Sequence, residues 1–273
     1  CLWAEAAGSP TVALAKKGSD WRFVKPVEAK ADFGSVDGVI GKVAQAKMKT
    51  IVAPDAGKPQ TELTPADLKK YGFDKPQAVP TIGAGPTRAT LAIGGKVDDT
   101  SLYARDLSRS IVFTVDKSLL DDLKKNPDDL RVKDIFEFRT FNALGVEVTY
   151  GGQTYTFEKQ KAASEQQSTT AEVWKLTKPT AKDLDQPKVT DLLSTIANMR
   201  ADKFDPKAAA SGEDLTVVAR HGEAASPTTD RVVLRKSGTT VQAIRTGEPG
   251  AAIVPTSEFD KAVSLLKELT GAK

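Results

Sequence analysis

Few residues of this sequence have the types and the spacing that catalysis requires. Its one histidine, His221, lies in Arg220-His221-Gly222-Glu223, beside a glycine and between two strand-like segments. Nucleophilic hydrolysis needs a serine or cysteine next to a positioned base. Cys1 is far from His221 in the sequence, and the chain has no Gly-x-Ser-x-Gly elbow. We therefore predict that His221 is a loop residue in a turn, that the chain has no catalytic residue, and that the protein is not an enzyme.

Metal and phosphate sites are equally hard to build from this sequence. Adjacent carboxylates occur at Asp98-Asp99, Asp121-Asp122 and Asp128-Asp129. Neighbouring side chains point apart on a helix or strand, whereas metal ligands must converge. One cysteine with one histidine also excludes the usual zinc ligand sets. Gly83-Ala84-Gly85 runs into a proline and a strand rather than a helix, so it offers no phosphate cradle. We expect neither a metal nor a cofactor.

The composition is that of a globular protein without a nucleic-acid partner. The chain has 273 residues, 40% hydrophobic and 27% charged, and its 39 Lys+Arg against 36 Asp+Glu leave a net charge of +3. So small an excess creates no electrostatic field for nucleic acid, and a single cysteine excludes an internal disulfide. No apolar run reaches the roughly 20 residues of a membrane span.

The sequence elements repeat with an offset of 153 positions. The repeat pairs Trp21 with Trp174, Lys25 with Lys178, Pro26 with Pro179 and Asp32 with Asp185. Beyond each aspartate, apolar residues recur at i, i+3, i+4, i+7 and i+8, starting at Val36 and at Val189. That spacing is typical of an amphipathic helix. Because one offset holds through a tryptophan, a Lys-Pro pair, an aspartate and a helix, we predict an internal duplication.

The repeated residues have structural interpretations. The tryptophans start apolar strands and are expected in the core, although with Tyr103 and Tyr155 they are also candidates to stack on a sugar or peptide. The Lys-Pro pairs are expected to end their strands, since proline lacks a donor for further pairing. Asp32 and Asp185 precede the helices, and we expect them to hold the connection through backbone hydrogen bonds.

The predicted order of elements is β-β-α-β-β-β-α, used twice. This order indicates an α+β fold with antiparallel sheets, each covered on one face by helices. We assign residues 1–10 to an N-terminal remnant after an anchor or processing site, 11–138 to repeat one and 139–273 to repeat two. A polar insertion at 160–170, which contains no large apolar residue, interrupts repeat two.

Ordered blocks of repeat one, together with Trp21, Lys25-Pro26 and Asp32, resemble a known family. The blocks are 63–76 (LTPADLKKYGFDKP), 90–95 with 103–105, and 112–116 with 119–123 and 128–131. They are similar to the bacterial family called domain of unknown function 4340. The resemblance extends over almost the whole chain, from residue 11 to residue 269.

The resemblance implies a setting rather than an activity. Members look like a single N-terminal membrane anchor followed by an extracytoplasmic domain, and many are encoded beside ABC-transporter components of the gliding-motility type. The implied location is the cell envelope, at the extracytoplasmic face of the cytoplasmic membrane, with ABC-transporter subunits as partners. No catalytic residues carry over. The present residues include no anchor, so we expect attachment through a missing N-terminal anchor or a lipid on Cys1.

These observations predict a non-enzymatic extracytoplasmic interaction module of a membrane-anchored protein, accessory to an ABC-type transporter. This interpretation expects an exposed apolar patch or sheet edge for a protein or peptide partner. The alternative is a domain that binds an envelope glycan or a small ligand, which needs a concave pocket lined by aromatic and polar groups. An exposed Trp21 or Trp174 in such a pocket would favour the alternative.

Overall fold

A computed structural model describes residues 1–55, 59, 61–161 and 172–272. Two antiparallel nine-stranded sheets contain most of its regular secondary structure. The chain divides into two units, Cys1–Val132 and Lys133–Lys273, with one sheet in each. Strands dominate because apolar and polar residues alternate along much of the sequence, so that one face of each strand is buried. The protein is therefore mostly β, with five α-helices among the described residues.

The described part of the first unit contains nine strands and three α-helices. In chain order they are β1 (Leu2–Ala6), β2 (Val12–Lys17), β3 (Asp20–Lys25), β4 (Ala29–Lys30), α1 (Phe33–Ala44), β5 (Ile51–Ala53), α2 (Pro65–Lys70), β6 (Ala78–Ala84), β7 (Thr87–Lys96), β8 (Ser101–Asp106), β9 (Val112–Asp116) and α3 (Ser118–Leu123). A 3₁₀ turn, Pro127–Leu130, follows α3. Helix α1 packs Val36 and Val39 into a core cluster that also contains Trp21 and Phe23.

The second unit has nine strands and two α-helices over its described residues. In chain order they are β10 (Ala143–Tyr150), β11 (Gln153–Lys161), β12 (Glu172–Lys178), β13 (Lys182–Asp183), α4 (Gln186–Ala197), β14 (Lys203–Asp205), β15 (Glu213–Glu223), β16 (Ser226–Ser237), β17 (Thr240–Arg245), β18 (Ala251–Val254) and α5 (Thr256–Thr270). Helices α4 and α5 pack against each other. Their apolar faces join Phe136, Phe138 and Phe157 in the core of this unit.

The two sheets have the same strand order. It is β4-β3-β2-β1-β6-β7-β8-β9-β5 in the first unit and β13-β12-β11-β10-β15-β16-β17-β18-β14 in the second. Every strand of the first sheet therefore has a counterpart in the second. The pairing of β2 with β3 shifts register between Ala13 and Leu14, and that of β11 with β12 shifts between Thr156 and Phe157. Because the strand order and this irregularity both match, the predicted duplication is confirmed.

Both sheets contain more strands than the sequence predicted. Strands β6 and β15 lie in the middle of their sheets, and the predicted order has no strand at either place. The short strands β4, β5, β13 and β14 were missed as well. Pro80 and Gly83 lie inside β6, and both residue types are uncommon in central strands. Tertiary pairing with β1 and β7 overrides that local preference.

The N-terminal segment and the boundary between repeats also differ from their predicted positions. Leu2–Ala6 form β1, which pairs with β2 and β6, so residues that were expected to lie outside repeat one belong to the first sheet. The first unit ends at Val132 rather than at residue 138. The physical reason is that Ile135, Phe136 and Phe138 belong to the core of the second unit.

Two further segments bear on the sequence predictions. Of the polar insertion at 160–170, Gln160 and Lys161 end β11, and the remainder lies outside the described residues. Within the part of the chain that the structure describes, no helix is both long enough and apolar enough to cross a membrane. The longest of these helices, α5, has 15 residues.

Candidate functional site

An apolar groove opens on the first unit beside the C-terminal end of α1. It has a volume of about 510 Å³. Its walls come from the last residues of α1 and the chain that follows them, from β6 and β7, and from β9. The side chains that define it include Ala44, Met48, Ile82, Ala89, Leu91 and Phe113. We call this feature the groove.

Apolar side chains of the groove stay partly exposed although they border the core. Ile82 of β6 and Leu91 of β7 are half-buried and pack against the buried cluster of the first unit. Met48, in the chain after α1, is 53% exposed. Apolar surface left in water costs about 25 cal/mol per Å² relative to burial. A concave apolar surface of this kind is typical of a binding site.

Asp106 and Arg109 are the charged residues of the groove lining. Arg109 Nε lies 3.7 Å from the Asp106 carboxylate. The backbone N–H of Ser108 donates to Asp106 Oδ1 at 2.9 Å, and the Ser108 hydroxyl donates to the same oxygen at 2.7 Å. These hydrogen bonds, and then the charge of Arg109, lower the pKa of Asp106 below its ordinary value. An ionised carboxylate, paired with Arg109, therefore borders the apolar side chains of the groove at neutral pH.

The second unit carries a polar cluster formed by Glu137, His221 and Asp230. One ligand atom from each residue lies within 4.8 Å of the other two. His221 is buried, and its Nε2 lies 3.4 Å from Asp230 Oδ2 without forming a hydrogen bond. One imidazole nitrogen with two carboxylate oxygens is a donor set that divalent transition metals accept.

Asp230 in this cluster already has a structural role. Its Oδ2 accepts hydrogen bonds from the backbone N–H groups of Glu137 (2.8 Å) and Phe138 (2.9 Å). A carboxylate oxygen that accepts two N–H groups fixes the segment that carries them. We therefore assign Asp230 to holding the backbone of residues 137–138, with His221 buried beside it.

The prediction that His221 is a loop residue in a turn is wrong. His221 lies in β15, on the buried face that it shares with Leu215, Val217 and Ala219. These four residues alternate with more exposed ones, and that period of two is typical of a half-buried strand. The signal was therefore present in the sequence. The glycine after His221 suggested a turn, but the strand continues through it to Glu223.

The repeated tryptophans are buried in separate cores. Trp21 is 8% exposed and belongs to the cluster of the first unit, whereas Trp174 is 6% exposed and belongs to that of the second. The Nζ of Lys159 lies 5.4 Å from the centroid of the Trp174 ring. Little indole surface is therefore left to stack on a ligand.

The repeated Lys-Pro pairs lie at corresponding strand ends. Lys25 is the last residue of β3 and Lys178 is the last residue of β12. The peptide bonds to Pro26 and Pro179 are both cis. In each unit the chain turns at this point into a two-residue edge strand, β4 or β13, which precedes the helix α1 or α4.

Asp32 and Asp185 are the N-cap residues of α1 and α4. The backbone N–H of Ser35 donates to Asp32 Oδ1 at 2.8 Å, and that of Lys188 donates to Asp185 Oδ1 at 3.2 Å. Such a cap satisfies an N–H group that has no partner within the helix. Trp21, Lys25, Pro26 and Asp32 do not line the groove, whereas Val43 and Ala44, at the end of the repeated apolar stripe, do.

A comparison with protein-family models shows which family the chain belongs to. The family model described as "Domain of unknown function (DUF4340)" matches residues 21–216, more than half of the chain. The chain belongs to this family. The resemblance based on the sequence blocks is thereby confirmed. The DUF4340 match begins at Trp21 in β3 and ends within β15, so it includes parts of both units. No curated protein and no solved structure matches the chain significantly.

Proposed function

We propose that this DUF4340 chain is a non-enzymatic interaction module, and that it holds an apolar segment of a partner protein in the groove of the first unit. The observation that carries the proposal is the groove itself, an open apolar concavity of about 510 Å³. A large apolar side chain that moves from water into such a site contributes about 1.5–3 kcal/mol.

The proposed setting is the extracytoplasmic face of the cytoplasmic membrane, with subunits of an ABC-type transporter as the partner. The support for this setting is the resemblance to anchored, extracytoplasmic domains that are encoded beside transporter components; the matching family model itself is described only as a domain of unknown function. Attachment to the membrane, through an N-terminal anchor or a lipid on Cys1, is part of the same proposal. A tethered module needs only modest affinity, since tethering raises its effective concentration near the partner.

We also propose that the two units are repeats of one α+β pattern, in which helices cover a sheet face. The shared strand order and the shared N-cap at α1 and α4 support this reading. The β-β-α-β-β-β-α description then applies to the longer elements, and the additional strands extend each sheet.

The glycan-binding alternative has less support from the geometry. It expected aromatic side chains in an open pocket, whereas Trp21 and Trp174 are both buried. The groove has one aromatic side chain in its lining, Phe113, and that ring is itself 7% exposed. A flat sugar-stacking platform is therefore missing from the groove, and an apolar protein segment fits its chemistry better.

Affinity capture of the protein from the membranes of its own cells tests the proposal. Ala89 is exposed in the groove, so Ala89→Trp places an indole where the segment would lie. Arg88→Trp is the matched control, because the adjacent residue of a strand faces the opposite side. We expect transporter subunits to be recovered with the native protein and with the control, and their recovery to fall about tenfold or more with Ala89→Trp.

Two results would contradict the proposal. Equal recovery of the subunits with Ala89→Trp and Arg88→Trp would show that the groove does not hold the partner. Retention of envelope glycan without any transporter subunit would favour the alternative function.

A further inference from the structure

His221 has a buried ring nitrogen without a hydrogen-bond partner. The residue is 6% exposed, and its Nε2 forms no hydrogen bond with the residues that the structure describes. This nitrogen faces Asp230, whose Oδ2 lies 3.4 Å away. Buried polar atoms in folded proteins nearly always have a partner, which is another protein group, an ordered water or an ion. The nitrogen is therefore placed to bind a ligand that it shares with the carboxylate.

Strand pairing places His221 and Asp230 on one face of the second sheet. Asp230 of β16 pairs with Ala219 of β15, and His221 lies two residues further along β15. Such diagonal neighbours have Cα atoms about 7–8 Å apart, within reach of each other's side chains. Glu137 joins them because Asp230 holds its backbone N–H. The three side chains therefore meet where the segment before β10 packs on the hairpin of β15 and β16.

The distances in this cluster suit ligands of a single metal ion. One ligand atom each of Glu137, His221 and Asp230 lies within 4.8 Å of the other two. A nitrogen and an oxygen that bind one ion at roughly 2.0–2.2 Å lie about 3.3–3.6 Å apart in a tetrahedral site. The 3.4 Å between His221 Nε2 and Asp230 Oδ2 matches that separation and is long for an N–H···O hydrogen bond. Glu137 is exposed, so a rotation of its side chain brings its carboxylate closer.

Asp230 can hold the backbone and bind an ion at the same time. Both N–H groups that it accepts, from Glu137 and Phe138, donate to Oδ2. Within the part of the chain that the structure describes, Oδ1 accepts no hydrogen bond. A carboxylate has about four lone-pair sites on its two oxygens, so about two remain after these two hydrogen bonds. The structural role of Asp230 therefore leaves room for a metal ion.

Strand pairing also shows which residues of the first unit correspond to this pair. In the first unit the pairs, counted from the repeated tryptophan, are Trp21–Lys16, Leu14–Leu2, Leu2–Ile82 and Ile82–Ala89. In the second unit they are Trp174–Lys159, Phe157–Val146, Val146–Ala219 and Ala219–Asp230. The steps from one strand to the next are the same in both series. Ala89 is therefore the counterpart of Asp230, and Ala84 is the counterpart of His221.

The first sheet forms with alanine at both of these positions. Ala84 and Ala89 are exposed residues of β6 and β7, and the strand order of their sheet equals that of the second. The fold of the repeat therefore requires neither a histidine nor a carboxylate there. Because burying a polar side chain without a partner is unfavourable, His221 and Asp230 need a reason beyond the formation of the sheet.

We propose that Glu137, His221 and Asp230 bind one divalent transition-metal ion of the Zn²⁺ type. The imidazole nitrogen selects such an ion over Mg²⁺ and Ca²⁺, which prefer oxygen ligands alone. Water completes the coordination on the exposed side, where Glu137 lies. The ion joins residue 137 to the hairpin of β15 and β16, and it strengthens the contact that Asp230 makes with the backbone.

This inference goes beyond the proposed function, because the metal site lies in the second unit and the groove lies in the first. Its ligand set has one histidine and no cysteine, so it differs from the zinc sets that the composition excludes. The pattern of adjacent carboxylates gave no sign of it, since its three ligands are far apart in the sequence.

Calorimetric titration of the full chain with Zn²⁺ tests the inference. Cys1 is exposed and a thiolate binds zinc, so every titration uses Cys1→Ser and a chain without a histidine tag. We expect one Zn²⁺ to bind per chain, and Mg²⁺ and Ca²⁺ to bind much more weakly. Glu137→Gln should weaken Zn²⁺ binding about tenfold or more, because it removes a charged ligand at an exposed position.

Glu223→Gln is the matched control for Glu137→Gln. Glu223 is an exposed residue of β15 that lies outside the cluster. Its substitution removes the same charge close to His221 and should leave the affinity for Zn²⁺ nearly unchanged. Glu137→Gln creates no buried cavity, so it decides the outcome even if a substitution of the buried His221 prevents folding.

The single histidine makes the site directly observable by NMR. All imidazole ¹⁵N signals of the chain come from His221. We expect one equivalent of Zn²⁺ to move the Nε2 resonance, because that atom binds the ion. His221→Leu places an apolar side chain on the buried face of β15 and should remove the Zn²⁺ site while the circular dichroism of the sheets stays the same.

Three results would overturn the inference. They are His221 signals that do not respond to Zn²⁺, equal Zn²⁺ affinity of Glu137→Gln and Glu223→Gln, and binding of Mg²⁺ or Ca²⁺ as tight as that of Zn²⁺. Any of them would mean that His221 and Asp230 form only a buried pair that holds residues 137–138. If Zn²⁺ fails to bind while Ala89→Trp still releases the cellular partner, this inference fails and the proposed function stands.

Discussion

The sheets of the two units have the same strand order, but different side chains cover them beside the ends of α1 and α4. In the second unit Phe136 and Phe138 cover the sheet beside the end of α4 and are almost fully buried. In the first unit the corresponding space beside α1 is the groove, where Met48 is half exposed. Strand order therefore does not depend on filling this space. In the second unit this space is filled by core side chains, and over residues 1–132 it is lined by partly exposed ones.

The helices that follow the last strand of each unit, α3 and α5, also differ. Helix α5 has 15 residues, whereas its counterpart α3 has six residues and is followed by a 3₁₀ turn. An ion pair joins α5 to α4, and another joins α3 to α1. Lys261 of α5 contacts Asp191 at 2.9 Å, and Asp122 of α3 contacts Lys42 at 2.7 Å. The shorter helix, α3, therefore keeps an ion pair to α1 although it covers less of its sheet.

The largest difference in unfolding free energy between the units should appear when Phe138 is truncated. Phe138→Ala leaves a cavity in the second core and should lower the free energy of unfolding by about 3–5 kcal/mol. Met48→Ala, in the groove of the first unit, should change it by no more than about 0.5 kcal/mol. Urea denaturation of the full chain measures both values. Similar losses for the two variants would contradict the view that only the second unit is closed.

A smaller effect is expected at the pair Asp230 and Ala89. Asp230→Ala leaves two backbone N–H groups without their acceptor and should cost about 2 kcal/mol of unfolding free energy. Asp230→Asn keeps an acceptor oxygen and should recover much of that loss. Ala89→Asp lies at an exposed position and should be nearly neutral in the same urea titration. A neutral Asp230→Ala would show that Asp230 does not hold the segment.

Alkaline pH should weaken the second unit. The hydrogen bond to Glu213, and then burial, raise the pKa of Tyr150 to about 12. A raised pKa means that the stabilisation is complete below the ordinary pKa of 10 and is lost as the pH rises through 12. Allowing for solvent screening, the loss is about 1–2 kcal/mol. In Tyr150→Phe, denaturation midpoints at pH 9 and pH 12 should differ by less than in the native chain.

The first unit has alanine at the position that pairs like Tyr150, Ala6, so the hydrogen bond between Tyr150 and Glu213 has no counterpart there. Ala6→Tyr provides the reciprocal test, because it lacks a partner like Glu213 and should create no protection of the phenol. Alkaline destabilisation that persists unchanged in Tyr150→Phe would assign the effect to another group.

Acid pH should act, more weakly, on the first unit. Hydrogen bonds from the backbone and side chain of Ser118, and then Lys49, lower the pKa of Asp116 to about 2. A lowered pKa means that the stabilisation is present above pH 3.8 and is lost as the pH falls through 2. Helix α5 begins at Thr256, and its N-cap residue, Pro255, makes no side-chain hydrogen bond to it, so α5 lacks an equivalent of Asp116. Hydrogen exchange of α3 in the native chain and in Asp116→Ala, between pH 4.5 and pH 2.5, measures the effect.

Particular elements show where sequence reasoning succeeded. The apolar spacing that starts at Val36 correctly predicted α1, and the spacing that starts at Val189 correctly predicted α4. Both helices follow an N-cap aspartate. Periodicity and caps are local properties, so they can be read without knowing the fold. Strand β15 carries an equally local signal in the alternation of Leu215, Val217 and Ala219, but the glycine that follows His221 favours a turn. Strand β6 gave no such signal, since its proline and glycine favour loops.

The groove was invisible in the sequence for a different reason. Its lining comes from α1 and the chain after it and from strands β6 to β9, and the helix and the strands meet only through the folding of the sheet. Ala46 and Met48 look like ordinary residues of a connection. Their significance depends on the contrast with Met199 and Ala201, which lie beneath a segment that the second unit supplies.

The sequence by itself determined the duplication, the long helices and most of the strands, because side-chain alternation and helical spacing act over a few residues. Only the tertiary structure decided that β1 and β6 complete the first sheet, that Asp230 lies beside His221, and that Phe136 and Phe138 fill the space beside α4. Those outcomes depend on which distant residues become neighbours and on whether bulky side chains reach the same place. Filling a space is a property of packed volume, and local sequence patterns do not encode it.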